Sequence, residues 1–150
     1  MIIQEGFFNQ DFCQDYINIA PKNVSLDWNE RVALLPKDDR VVEIVKNLFK
    51  NHNINLEIDS AQIQTWPTGS KSDLHVHGDG CDWDDGRGNT RFNSMIYLNE
   101  NFEGGEFFTE NITIRPRTGT MTFFDGSFVH HGVKPISNGN RYTIILWWKK

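Results

Sequence analysis

Apolar positions follow two different rhythms along this chain. Up to about residue 53 they recur three to four apart, and from Ile54 onward they fall in short runs separated by turn residues. Residues 2–8 predict a short strand. Asn9 then predicts the cap of a helix whose apolar positions Phe12, Cys13, Tyr16, Ile17 and Ala20 share a face before Pro21 stops it. A second helix is predicted over about 38–51, capped by Asp38 or Asp39. It would bury Val41, Val42, Ile44, Val45, Leu48 and Phe49. Both helices read as packing layers rather than carriers of chemistry.

Past Ile54, segments rich in β-branched and aromatic residues predict strands at 61–66, 93–98, 106–109, 112–115, 120–124, 129–133 and 141–148. Turn chemistry separates them, as in Pro67-Thr68-Gly69-Ser70, Glu103-Gly104-Gly105, Arg117-Thr118-Gly119 and Ser137-Asn138-Gly139-Asn140. Many short strands at this spacing mean a sandwich or barrel. The expected architecture is mainly β (α+β), with helices laid against a β core. At 150 residues, with no repeat or linker, one domain spanning 1–150 is expected. Residues 1–53 would supply its strand and supporting helices and 54–150 its β core.

Composition narrows the classes. Hydrophobic residues at 38% and charged residues at 23% suit a folded globular chain rather than a disordered one. A net charge of −5 argues against a sequence-independent nucleic-acid binder, which needs a basic face. No apolar run approaches the roughly 18 residues of a bilayer span, and the first residues lack the pattern of a secretory signal. Cys13 and Cys81 are too few for a disulfide framework, so a reducing cytoplasmic setting is expected.

Four of the five histidines fall in two places, His75 and His77, then His130 and His131. Residues two apart on a strand share a face, so His75, His77 and Asp79 can point the same way. A His-x-Asp pair with a distant histidine makes the two-histidine, one-carboxylate triad, which leaves positions on iron(II) open. His77 and Asp79, with a histidine from the later pair such as His131, are candidates for those roles. His-x-Asp alone is a weak signal, and a surface histidine in a Gly-Asp turn is the plain alternative. Ten residues after His131 stands Arg141, with Thr143 on the same face of a strand-like run. A guanidinium fork pairs bidentately with a carboxylate, and a threonine hydroxyl can add a bond. His130 is expected on the opposite face from His131, and His52 in a solvated turn. Cys81 raises a zinc site with His77 and Asp79, but no second cluster has zinc spacing.

With these residues in place, the stretch 62–147 resembles the prolyl 4-hydroxylase-like branch of the Fe(II)/2-oxoglutarate-dependent oxygenases. The resemblance is carried by Gln62-Ile63-Gln64-Thr65-Trp66-Pro67-Thr68-Gly69-Ser70, the His-x-Asp region and Met95-Ile96-Tyr97-Leu98-Asn99. It continues through Phe102-Glu103-Gly104-Gly105-Glu106-Phe107-Phe108, Ile114-Arg115-Pro116-Arg117-Thr118-Gly119, His131-Gly132-Val133-Lys134-Pro135-Ile136 and Gly139-Asn140-Arg141-Tyr142. It implies a double-stranded β-helix, the cupin-like jelly roll, with the metal at its mouth. Carried over, it gives His77, Asp79 and His131 to Fe(II), and Arg141 with Tyr97 and Thr143 to 2-oxoglutarate. O2 would be co-substrate, ascorbate an optional reductant, and succinate and CO2 the co-products. Prolyl residues of a peptide or protein are the implied substrate, with small amino acids, other side chains and nucleotides open. One departure matters: the family's usual spacing from Trp66-Pro67-Thr68-Gly69 would place its motif on His75-Val76-His77, which puts a histidine where the carboxylate belongs. His77-Gly78-Asp79 is preferred because it supplies an anion, and His75 is the alternative first-strand ligand. An aspartate ligand would also argue against halogenase chemistry. Residues 80–89, with Trp83 among acidic residues, read equally as a substrate lid or a solvated hairpin loop. A jelly-roll module that has lost catalysis is the competing class, and it predicts no iron-dependent succinate production.

Overall fold

A computed structural model describes residues 1–76 and 92–150. The first elements are β1 (Ile2–Gln4), α1 (Gln10–Ile19), α2 (Trp28–Arg31), β2 (Val32–Leu35) and α3 (Arg40–Asn51). The strands β3 (Glu57–Trp66), β4 (Ser72–His75), β5 (Phe92–Tyr97), β6 (Glu103–Gly104) and β7 (Phe107–Thr109) follow. The last are β8 (Thr113–Ile114), β9 (Met121–Asp125), β10 (His131–Val133), β11 (Ile136–Asn138) and β12 (Arg141–Lys149). Both predicted helices form. Asn9 caps α1 by accepting from the Phe12 amide at 2.8 Å, and Asp39 rather than Asp38 caps α3, accepting from the Val41 amide at 3.1 Å. No helix among the described residues is long and apolar enough to cross a membrane.

The strands form two main antiparallel sheets, in the orders β1-β9-β5-β12-β3-β2 and β4-β10-β7-β8, with β11 and β6 in a third, two-stranded ladder. This is a jelly roll of the expected kind. Strand β12 shows how it is held. Ile144, Leu146 and Trp148 join Ile63, Ile96 and Met121 in the cluster where Tyr16, Val41, Val45 and Phe49 of the helices pack. The alternate residues Ile145 and Trp147 face the other way, meeting Met95, Tyr97, Phe124 and, from the smaller sheet, Phe107. A strand buried on both faces reads as continuous apolar sequence, and residues 144–148 do.

Three features differ from the sequence expectation. The strand predicted over 2–8 stops at Gln4, and Phe8 instead turns back to donate its amide to the Gly119 carbonyl at 3.1 Å. The short pair α2 and β2 adds an edge to the larger sheet through Val32–Leu35 beside Gln64–Ala61. Glu103-Gly104 and Ser137-Asn138, read as turns, lie in the β6–β11 ladder. Gly104 makes that possible: at φ +77° its missing Cβ would sit 2.1 Å from the Pro135 carbonyl oxygen.

Gly119, at φ +84°, is tighter still, since a Cβ there would lie 2.0 Å from the Phe8 carbonyl oxygen. Gly119→Ala is expected to destabilise the chain by more than about 1 kcal/mol, measured as a lowered urea midpoint. An unchanged midpoint would show that the segment entering α1 is not anchored at Gly119.

Candidate active site

The smaller sheet brings the two histidine regions together. His75 ends β4 and His131 begins β10, and the two are direct partners across the ladder. Their ring centroids lie 4.4 Å apart. Each ring is oriented by its backbone. His131 Nδ1 lies 2.7 Å from the Val129 carbonyl oxygen, and His75 Nδ1 lies 2.7 Å from that of Asp73. A carbonyl only accepts, so Nδ1 carries the proton and, in the neutral ring, Nε2 carries the lone pair that binds metals. His131 is buried, with Phe107 and Phe124 ring centroids at 5.9 and 4.7 Å. His130 is half exposed and lies 3.8 Å from Glu110, away from this pair.

His77, Asp79, Cys81 and Trp83 lie outside the described residues. Among the described residues no three His, Cys, Asp or Glu side chains converge.

The cationic end is built on the larger sheet. Register places Arg141 opposite Trp66, and Thr143 between Gln64 and Tyr97. Arg141 is 1% exposed. Its Nη2 points to the Met95 sulfur at 3.7 Å, a weak contact, and its Nε and Nη1 have no hydrogen-bond partner. The Tyr97 and Thr122 hydroxyls are buried beside it without a partner in full hydrogen-bond geometry, though Tyr97 is near enough to interact with both the guanidinium and Thr122. Burial pulls the Arg141 pKa down from its ordinary value and pushes the Tyr97 phenol up. Each unsatisfied buried polar group costs about 1–3 kcal/mol, and more when charged. The donors of this cluster could pair with an anion.

A cavity of about 360 Å³ lies beside the histidine pair and reaches the residues that cover Arg141, which is itself not part of the lining. His75 and His131 line it, as do Phe107, Met95 and Trp66, and the last two touch Arg141. The volume lies within the usual range for small-molecule sites and accommodates a five-carbon diacid. Its wall also includes Arg31, a residue the sequence reading missed. The available signal was Asp27, which caps α2, followed by the β-prone run Val32-Ala33-Leu34-Leu35.

The fold agrees with that of known proteins. Residues 61–149 match the family model of the 2OG-Fe(II) oxygenase superfamily, and the chain belongs to that superfamily. Within the superfamily its likeness is to the prolyl hydroxylases. Human prolyl 3-hydroxylase 2 is 38% identical over 65 residues, 38% of this chain and 9% of that protein. Human prolyl 3-hydroxylase 3 is 31% identical over 90 residues, 48% of this chain and 12% of that protein. The chain thus matches only about a tenth of the length of these relatives. Two solved structures share the fold across 99% of this chain. The viral collagen prolyl hydroxylase from Paramecium Bursaria Chlorella virus-1 has a TM-score of 0.77, 21% identity and 94% of its own chain covered. The prolyl-4-hydroxylase of Pseudomonas putida has a TM-score of 0.75, 15% identity and 91% covered.

If Arg141 is unpaired because it awaits a ligand, Arg141→Met should leave the ligand-free chain as stable as before, or stabilise it by up to about 2 kcal/mol. A marked drop in melting temperature would mean that the guanidinium already contributes to the fold.

Proposed function

We propose that this chain is an Fe(II)- and 2-oxoglutarate-dependent dioxygenase that hydroxylates prolyl residues of a peptide or protein. The observation that carries the reading is Arg141, buried and underbonded on the inner face of the barrel beside Tyr97 and ten residues after His131. The prolyl assignment draws support from the names of the relatives and fold neighbours.

In this reading His77, Asp79 and His131 hold the iron. Arg141, with Tyr97 and Thr143, binds the far carboxylate of 2-oxoglutarate. The residues fit such a group, because the Nδ1 contact of His131 leaves Nε2 as the ligating atom and the guanidinium has donors to spare. Iron bound there, with 2-oxoglutarate and O2, supplies the oxidising power that replaces a substrate C–H with C–OH and releases succinate and CO2. The chain's own work is placement. Arg141 fixes one end of the co-substrate by a charge-assisted fork. Phe107 and Phe124 keep water from His131, and Val129 fixes its tautomer. A reductant such as ascorbate would serve to restore ferrous iron after uncoupled turnover.

A second ligand set, with His75 in the first-strand position, is favoured by one observation, its 4.4 Å ring separation from His131. The preferred set keeps Asp79 because a carboxylate balances the metal's charge, which a second imidazole does not.

Anaerobic addition of Fe(II) and 2-oxoglutarate should produce a visible charge-transfer band, lost in His131→Ala. Arg141→Gln should weaken 2-oxoglutarate by at least tenfold while retaining iron. Loss of iron in Asp79→Ala but not His75→Ala supports the preferred set, and the reverse pattern replaces it. No band in the parent chain would reject the oxygenase reading.

A further inference from the structure

Arg31 is a second buried cation that the proposed reaction does not use. It is 6% exposed, and its Nε donates to the Thr65 carbonyl at 3.2 Å. Its Nη2 is buried with no partner. The guanidinium carbon lies 5.0 Å from the Trp28 ring centroid and 4.5 Å from that of Trp66. These contacts position the fork in the cavity wall without neutralising it. Arg141 approaches the same Trp66 ring at 5.2 Å, and the two cations repel. Burial and that repulsion lower the Arg31 pKa from its ordinary value.

We propose that Arg31 selects the substrate by binding a carboxylate that the substrate carries. The compounds recognised would be acid-bearing prolyl compounds, with the carboxylate either the free C-terminus of the prolyl residue or an adjacent acidic side chain. This rests on the oxygenase reading and adds a substrate class to it.

Three observations carry the inference. First, the cavity is cationic in a chain of net charge −5: Arg31 and Lys71 line it, and no Asp or Glu does among the described residues. Low-dielectric walls lined by one sign of charge concentrate the opposite sign. Second, Arg31 occupies the outer end. It sits where α2 meets the edge strand β2, next to Trp28, which is 43% exposed. Arg141 lies deeper, behind the lining residues Met95 and Trp66, on an interior strand. One diacid at the deeper end leaves the outer cation for the incoming molecule. Third, a rigid fork held between two indoles loses little freedom on binding, so its free donors suit a planar carboxylate.

The test is calorimetric titration of the chain loaded anaerobically with Fe(II) and 2-oxoglutarate. The probes are N-acetyl-proline, N-acetyl-prolyl-glutamyl amide and the neutral N-acetyl-prolinamide. At least one acidic probe should bind tenfold or more tightly than the amide, and which one does identifies the carboxylate's source. Arg31→Gln should erase that preference while 2-oxoglutarate affinity stays within twofold, which also reports an intact fold. Arg31→Lys keeps the charge and should show intermediate acid binding with the amide unchanged. Equal affinity for all three probes in the parent overturns the proposal. So does an acid preference that survives both variants, or an Arg31→Gln variant that weakens 2-oxoglutarate instead. Should 2-oxoglutarate fail to bind the parent at all, the oxygenase reading falls, while the acid preference can still be measured in the unloaded chain.

Discussion

A guanidinium sealed inside a β barrel with two of its three nitrogens lacking a hydrogen-bond partner is the burden that the rest of this fold has to carry. Removing Arg141 from water is costly, and the nearest groups repay little: a thioether sulfur at 3.7 Å and the rings of Tyr97 and Trp66 at 5.0 and 5.2 Å. Such a group persists only where the surrounding fold is stable enough to hold it. Under the proposed function, service to binding is the reason an apolar residue does not stand there.

Strand β12 reconciles the two demands by dividing its faces. Ile144, Leu146 and Trp148 lie against the helices and supply the packing, with Trp148 also donating its indole N–H to Ser94 at 2.9 Å. Arg141 and Thr143 point the opposite way, toward the site. Helices α1 and α3 therefore brace the sheet without lining the cavity, whereas α2 contributes Trp28 and Arg31 to its wall. Val41, Val45 and Phe49 press on the outer face of the sheet whose inner face carries the cation. The smaller sheet needs less, because His131 is fixed locally by Phe107, Phe124 and the Val129 carbonyl.

Much of this was legible in the sequence because period and chemistry coincide. The α3 stripe with a cap at Asp38 or Asp39, and the two-residue alternation that puts Arg141 and Thr143 on one face, are local patterns, and the structure selects Asp39 and buries Arg141. What escaped notice depends on contacts distant in sequence. β6 and β11 pair through backbone alone, enabled by the close approach of Gly104 to Pro135, and residues of turn type gave no sign of it. Arg31 belongs to a four-residue helix too short for any periodicity, and its burial comes from Trp66, far along the chain. His75 was weighed only as an alternative. Its adjacency to His131 follows from the register of β4 with β10, which no spacing along the chain reveals.

In a chain of net charge −5, the charged side chains that line the cavity among the described residues are the cations Arg31 and Lys71. The central claim is that Arg141 is held for the distal carboxylate of a 2-oxo diacid. Its most direct test compares the affinity of 2-oxoglutarate with that of 2-oxopentanoate, which has the same chain length and oxo group but lacks the second carboxylate. Losing a charge-assisted bidentate pair should weaken binding by about 2–5 kcal/mol, so the monoacid is expected to bind at least thirtyfold more weakly. Equal affinities for the two acids would contradict the account.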